Sequence, residues 1–241
     1  MALITLEMQS EVLQKSTTVK IILPDYHKPP YPVLYLLHGL SDNHSTWLRN
    51  TALERYCRKY PFLIVMPDGG KDWYCDTKAG KYETFIASEL FDYINRFFPT
   101  RKERKFRGIG GLSMGGYGAM KIGLKYPKKF CCISSHSGVF QSEPKKFLGN
   151  YKGDNKFVLV FQDENNVFKL AKCCPRKYLP GIYMDCGEAD QLFKENKQYH
   201  QYLTQLDIEH TFKKFPGGHT WAYWDKHIKD AMAFQATAMG I

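Results

Sequence analysis

Two periods of apolar and polar positions alternate along this chain. From Leu3 to Met8 and from Thr17 to Leu23 the apolar residues fall on every second position, which predicts two half-buried strands. They suit an antiparallel pair at a sheet edge. Val33 to Leu37 is apolar throughout, the pattern of a strand covered on both faces. Phe62 to Met66 repeats it and stops at Pro67. Arg107 to Leu112, Phe130 to Ser135, Gly181 to Cys186 and Ile208 to Phe215 read as further strands. Helical spacing fills the intervals. It covers Ser45 to Arg58, Tyr82 to Phe97 (with Phe85, Ile86, Leu90, Ile94 and Phe97 on one face), Met114 to Tyr126, Leu192 to Leu206 and Trp221 to Ala238.

After the first two strands, strand and helix alternate to the end. That order predicts an α/β fold, a mostly parallel central sheet flanked by helices on both faces. Ligands in such sheets bind at the carboxyl ends of the strands. One stretch breaks the order. From Val139 to Leu179 the period weakens, with Lys, Asn, Gly and Pro between the aromatics Phe140, Phe147, Tyr151, Phe157, Phe161 and Phe168. It reads as a cap-like insertion over one end of the sheet. No repeat or linker divides the 241 residues, so a single domain is expected over residues 1–241.

Composition narrows the class. Hydrophobic residues are 44% and charged residues 24%, ordinary for a globular protein in water. The apolar runs are of strand length and too short to span a bilayer. Met1 to Thr5 has no basic segment ahead of it and soon meets Glu7, unlike a signal peptide, so a cytoplasmic location is expected. The formal charge is +10. Its densest run, Arg101 to Arg107, is interrupted by Glu103 and lies between a helix and a strand, which suits a solvated loop. Without an aromatic-interleaved basic motif or a helix-turn-helix pattern, neither nucleic acid nor membrane is expected as a partner. Homo-oligomerisation is compatible with all of this. Seven cysteines, an odd number, include two vicinal pairs, Cys131-Cys132 and Cys173-Cys174, but no CxxC and no zinc spacing. Free thiols in a reducing compartment follow, with no metal and no cofactor expected.

The chemistry concentrates at Gly110-Gly111-Leu112-Ser113-Met114-Gly115-Gly116. It holds G-x-S-x-G where a predicted strand ends and a predicted helix begins, so its glycines allow a tight turn that lifts Ser113 out of the sheet. Ser113 would equally suit a helix N-cap. A serine needs a base, and in this strand order the base follows the acid late in the chain. Among eight histidines, His219 sits in a Gly217-Gly218-His219 loop after a strand. His227 lies within the last helix and reads as a surface residue, and His136 comes too early. The acid is expected past a late strand, where Asp185, Glu188 and Asp190 compete. Asp190 follows the strand and its glycine turn and is favoured. Asp185 remains in the strand and suits a turn cap. The oxyanion donors expected are the backbone N–H groups of Met114, after the nucleophile, and of Leu40, in the loop His38-Gly39-Leu40. Trp73, Tyr74, Trp221 and the aromatics of the insertion are candidates to line the substrate pocket, with core packing as the alternative for each.

These residues resemble the esterase D family. The segments that carry the likeness are Leu37-His38-Gly39-Leu40, Trp73-Tyr74-Cys75-Asp76, Tyr82-Glu83, Gly111 to Ala119, Asp185-Cys186-Gly187 with Asp190, and Gly218-His219 before Trp221. Within that family the chain is similar to the bacterial tributyrin esterases. The resemblance covers nearly the whole chain and implies an α/β-hydrolase fold and a serine carboxylesterase that cleaves short-chain acyl esters. It carries the triad onto Ser113, Asp190 and His219, and the oxyanion donors onto Leu40 and Met114. Val139 to Leu179, rich in lysine, and Cys75 depart from the pattern, which leaves the ester itself open. The alternatives are a feruloyl or acetyl-xylan esterase acting on plant polysaccharide esters, an S-formylglutathione hydrolase-type thioesterase, or a catalytically idle binding module on the same scaffold.

Overall fold

The apolar runs are covered on both faces because they form the inner strands of one sheet. The computed structural model describes residues 1–140 and 163–241. Its strands are β1 (Ala2–Ser10), β2 (Lys15–Leu23), β3 (Val33–Leu37), β4 (Leu63–Pro67), β5 (Arg107–Leu112), β6 (Cys132–His136), β7 (Gly181–Gly187) and β8 (Thr211–Phe215). They lie in the order β1-β2-β4-β3-β5-β6-β7-β8. β1 pairs antiparallel with β2, and β2 with β4, whereas the other pairings are parallel. A short antiparallel pair, Asp76–Thr77 with Gly80–Lys81, stands apart from this sheet. The period of two in β1 belongs to an edge strand, every second residue of which is exposed.

Helices cover both faces. Val33, Tyr35 and Leu37 of β3 point to one side. There they meet α3 (Tyr82–Thr84) and α4 (Phe91–Phe97), joined through a π-helical segment Phe85–Leu90, together with α5 (Met114–Lys125), α6 (Val167–Cys173) and α7 (Phe193–Gln205). Leu34 and Leu36 point to the other side, toward α1 (Thr46–Asn50), α2 (Leu53–Cys57) and α8 (Trp221–Met239). Among the described residues no helix is long and apolar enough to cross a membrane.

Several elements differ from the reading of the chain alone. The helix expected over Ser45 to Arg58 is two helices, broken at Thr51-Ala52. The Ala52 N–H donates to the Asp225 carboxylate of α8 at 2.8 Å instead of continuing the ladder. A tertiary partner thus supplies the acceptor that a continuous helix would have provided. The last strand begins at Thr211, because His210 turns aside: its Nδ1 bonds the Ile208 carbonyl and its Nε2 bonds His200. His227 is buried, not a surface residue. Its ring stacks on Phe215 at 3.9 Å, and its Nδ1 meets Asp230 at 3.1 Å. Two aromatics at the described ends of the 139–179 stretch reach the core: Phe140 and Phe168 both pack on Tyr199 of α7. Phe147, Tyr151, Phe157 and Phe161 lie outside the described residues. All seven cysteines are free thiols.

A lysine–glutamate pair lies inside this core. The Lys121 ammonium of α5 has three protons. It donates to Glu83 Oε2 at 2.7 Å, to the Tyr74 carbonyl at 2.6 Å and to Cys75 Sγ at 3.1 Å. Burial pushes the Glu83 carboxyl up, but Lys121, Lys125 and the Tyr126 hydroxyl outweigh it and hold it below its ordinary value. The pair therefore ties α5 to the loop that carries Trp73 and Tyr74. Lys121→Met removes the buried partner of Glu83 Oε2 and leaves the carboxylate only Lys125 and Tyr126, which is expected to cost about 3 kcal/mol of unfolding free energy at pH 7, measured by urea denaturation. Because the folded carboxyl titrates below its ordinary 4.5, its stabilising share is complete above that pH and is lost as the pH falls below it. The gap between wild type and variant should accordingly narrow in acid.

Candidate active site

β5 turns into α5 at Ser113, and the turn is crowded. A β-carbon on Gly111 would lie 2.5 Å from the Gly115 carbonyl oxygen, and one on Gly115 would lie 2.5 Å from the carbonyl oxygens of Leu37 and His38. Only glycine allows the helix to start this close to the end of β3. Ser113 takes the strain, with φ 53° and ψ −116°. Its N–H donates to the His136 carbonyl at 2.9 Å, and its carbonyl accepts the first α5 hydrogen bond from Tyr117 at 3.0 Å. Its side chain is left to point away from the sheet.

His219 reaches this hydroxyl from the loop between β8 and α8. Its Nε2 lies 3.0 Å from Ser113 Oγ, and its Nδ1 lies 2.9 Å from Asp190 Oδ2. Asp190 is buried in the loop after β7. It accepts the Leu192 N–H at 2.8 Å and a hydrogen bond from the Ser137 hydroxyl. Burial raises its carboxyl, but the hydrogen bonds from His219, Leu192 and Ser137 outweigh that and hold it below its ordinary value. An ionised carboxylate only accepts, so His219 carries its proton on Nδ1 and turns a free lone pair on Nε2 toward Ser113. The arrangement can therefore draw the proton from the serine hydroxyl.

The rival carboxylates face elsewhere. Glu188 is exposed, 3.4 Å from Lys214. Asp185 is not a turn cap: it is fully buried in β7, bonded to His136 Nδ1 at 2.8 Å and to the Tyr223 hydroxyl at 3.1 Å. Its side chain points across the sheet because neighbouring positions in a strand alternate.

The loop after β3 forms the other wall, and His38 shapes it. The Gly69 N–H donates to His38 Nε2 at 2.8 Å, so that nitrogen is an acceptor. The proton sits on Nδ1, which donates to the Gly39 carbonyl at 2.7 Å. The loop's carbonyl is thereby turned back toward its own histidine. Gly39 and Leu40 line a cavity of about 400 Å³ with Ser113 and His219. Met114, whose N–H is the second expected donor, opens α5 directly after Ser113.

Trp73 and Trp221 line the same cavity. Tyr74 does not. It is wholly buried, donates its hydroxyl to the His38 carbonyl at 2.8 Å, and so props the loop from below. Trp224, Asp42 and Ser137 escaped the reading of the sequence. Trp224 was within reach of it, since it lies three residues from Trp221 on one helix face. Ser137 carries no local signal, because its link to Asp190 exists only across the fold. Among the described residues no group of three or more His, Cys, Asp or Glu side chains is placed to hold a metal ion.

A family model for the Esterase family matches residues 10–234. The chain is 31% identical to an acetyl esterase of Caldicellulosiruptor saccharolyticus, covering 98% of both chains. It is similar in structure to the substrate-bound fluorophosphonate-binding serine hydrolase F of Staphylococcus aureus, with a TM-score of 0.88 and 28% identity over 97% of this chain and 98% of that one. An S-formylglutathione hydrolase of the same organism superposes with a TM-score of 0.85 and 28% identity, again over 97% and 98% of the two chains.

Ser137→Ala removes one of the donors to the Asp190 carboxylate and should slow the reaction of Ser113 with a fluorophosphonate probe by roughly tenfold. Asp190→Asn, which frees the histidine to take the wrong tautomer, should slow it by about 10⁴. Labelling rates followed by intact-protein mass spectrometry give both values.

Proposed function

The chain belongs to the Esterase family and is a carboxylic ester hydrolase, and on that premise we propose that it cleaves short-chain acyl esters through an acyl-enzyme formed on Ser113. His219 Nε2 takes the hydroxyl proton as Ser113 Oγ attacks the ester carbonyl. The N–H groups of Leu40 and Met114 receive the tetrahedral oxyanion, each worth roughly 3 kcal/mol of transition-state stabilisation. The imidazolium, steadied by Asp190, then gives its proton to the departing alcohol. A water deprotonated by the same histidine attacks the acyl group, and the acid leaves with Ser113 restored. The observation that carries this reading is the hydrogen-bonded run from Ser113 through His219 to Asp190, at 3.0 and 2.9 Å.

The substrate class rests on the cavity. Its roughly 400 Å³, walled by Trp73, Trp221 and Trp224, has room for a short-chain acyl ester. The sheet, drawn from Ala2 through Phe215, supports reading the chain as one hydrolase domain. Its seven free thiols support a reducing, cytoplasmic setting. A thioesterase would use the same groups, and the likeness to the S-formylglutathione hydrolase of Staphylococcus aureus favours that as a second reading.

An ester panel separates these. p-Nitrophenyl acetate and butyrate should be turned over faster than the octanoate, methyl ferulate or S-formylglutathione. Ser113→Ala should lower kcat/KM by about 10⁴ or more. Full activity in that variant would remove the mechanism. A preference for the ferulate or the thioester would replace the substrate class. Absence of turnover together with absence of fluorophosphonate labelling would leave a binding module.

A further inference from the structure

The cavity over Ser113 runs against the charge of the chain as a whole. The formal charge is +10, yet among the described residues no Lys or Arg lines this cavity, and its wall carries the carboxylate of Asp42. Asp42 closes the loop that begins at His38, its own N–H donating to the Gly39 carbonyl at 3.3 Å. A β-carbon on Gly39 would lie 3.1 Å from Asp42 Oδ2 and 3.8 Å from Ser113 Cβ, so the carboxylate and the serine flank the same glycine. Burial raises the Asp42 carboxyl above its ordinary value, and neither His38 nor a Gly39 backbone hydrogen bond cancels that. The carboxylate is thus partly desolvated where it meets the cavity.

A carboxylate in this position opposes ester cleavage. It repels the negative charge that grows on the substrate oxygen between Leu40 and Met114. The opposition disappears when the substrate brings a positive charge of its own. Indoles strengthen that case, because the face of a tryptophan ring attracts cations. Trp73, Trp221 and Trp224 share the wall with Asp42, and Trp221 meets Trp224 edge to face at 5.3 Å.

We propose that this cavity takes esters carrying a quaternary or protonated amine, with Asp42 and the three indoles receiving the cation. The proposal rests on the esterase reading above and names the substrate class for the same site.

The test uses two esters of one shape that differ only in charge, acetylcholine and 3,3-dimethylbutyl acetate, with p-nitrophenyl acetate as the common control. Wild type should show a kcat/KM for the cationic ester at least about threefold above that for its neutral twin. In Asp42→Asn the ratio should fall to about one, and in Asp42→Glu the preference should persist. Choline should quench tryptophan fluorescence saturably in Ser113→Ala, a readout that needs no turnover, and the double variant with Asp42→Asn should lose it. A wild-type ratio of one or less, or the same ratio in Asp42→Asn, would overturn the proposal while leaving the esterase reading in place. No hydrolysis of any ester, p-nitrophenyl acetate included, would instead sink the esterase reading. Choline quenching that depends on Asp42 would then uphold the cation site alone, and its absence would overturn that too.

Discussion

Where α5 leaves the sheet, Gly115 presses against the carbonyls of Leu37 and His38, and this contact sets the spacing of the whole site. It brings the start of a helix to the carboxyl end of a neighbouring strand at a distance no side chain would permit. Ser113 is forced into a left-handed backbone conformation as a result, and its hydroxyl stands beside Gly39 and Leu40. Everything else adjusts to that point. His38 fixes the loop from within, and Tyr74 props it from beneath. The buried Glu83–Lys121 pair holds the loop of Trp73 and Tyr74 to the same helix. Strain at one serine is thus maintained by contacts drawn from several elements.

Two of the histidine–aspartate pairs among the described residues have acids five residues apart in the chain, and environment separates their roles. His219 and Asp190 join two loops at the rim, and the second ring nitrogen of His219 faces Ser113. His136 and Asp185 are completely buried between adjacent strands. The Nε2 of His136 meets no partner among the described residues, so this pair has no outlet to the cavity. The backbone of the buried pair still serves the first, since the His136 carbonyl accepts the Ser113 N–H, and the Asp185 carbonyl accepts that of Ser137. Ser137 in turn supports Asp190. The inner pair braces the strand ends on which the outer pair depends.

Charge makes a similar distinction. Most of the basic surplus sits on the surface or is spent on neighbours: Arg104, for instance, donates to the carbonyls of Pro127 and Tyr178. The cavity is marked by what it withholds from that surplus, a carboxylate and indole rings in place of cations. A basic protein can therefore present a site suited to positive ligands, because screening and distance weaken the surface charges before they reach an enclosed wall.

The alternation of strand and helix, the covered inner strands and the edge pair were legible in the chain, because burial on one face or two imprints a period on any sequence that adopts it. The positions of Ser113, Asp190 and His219 were singled out for a related reason: a strand-to-helix turn and late loops need glycine beside them, and glycine is visible. What the chain alone left open were distances between elements. It did not separate Asp190 from Asp185 by direction, place Tyr74 beneath the loop and not in the cavity, bury His227 against Phe215, or break the helix at Thr51-Ala52 for the sake of Asp225. Nor did it disclose Ser137 and Asp42, ordinary polar residues until the fold sets them beside Asp190 and Ser113. Periodicity is a property of neighbours in sequence, whereas the partner of a buried polar group is chosen by packing across the sheet. The sequence by itself therefore determined the elements and the candidate groups, and the tertiary structure decided which of those groups meet.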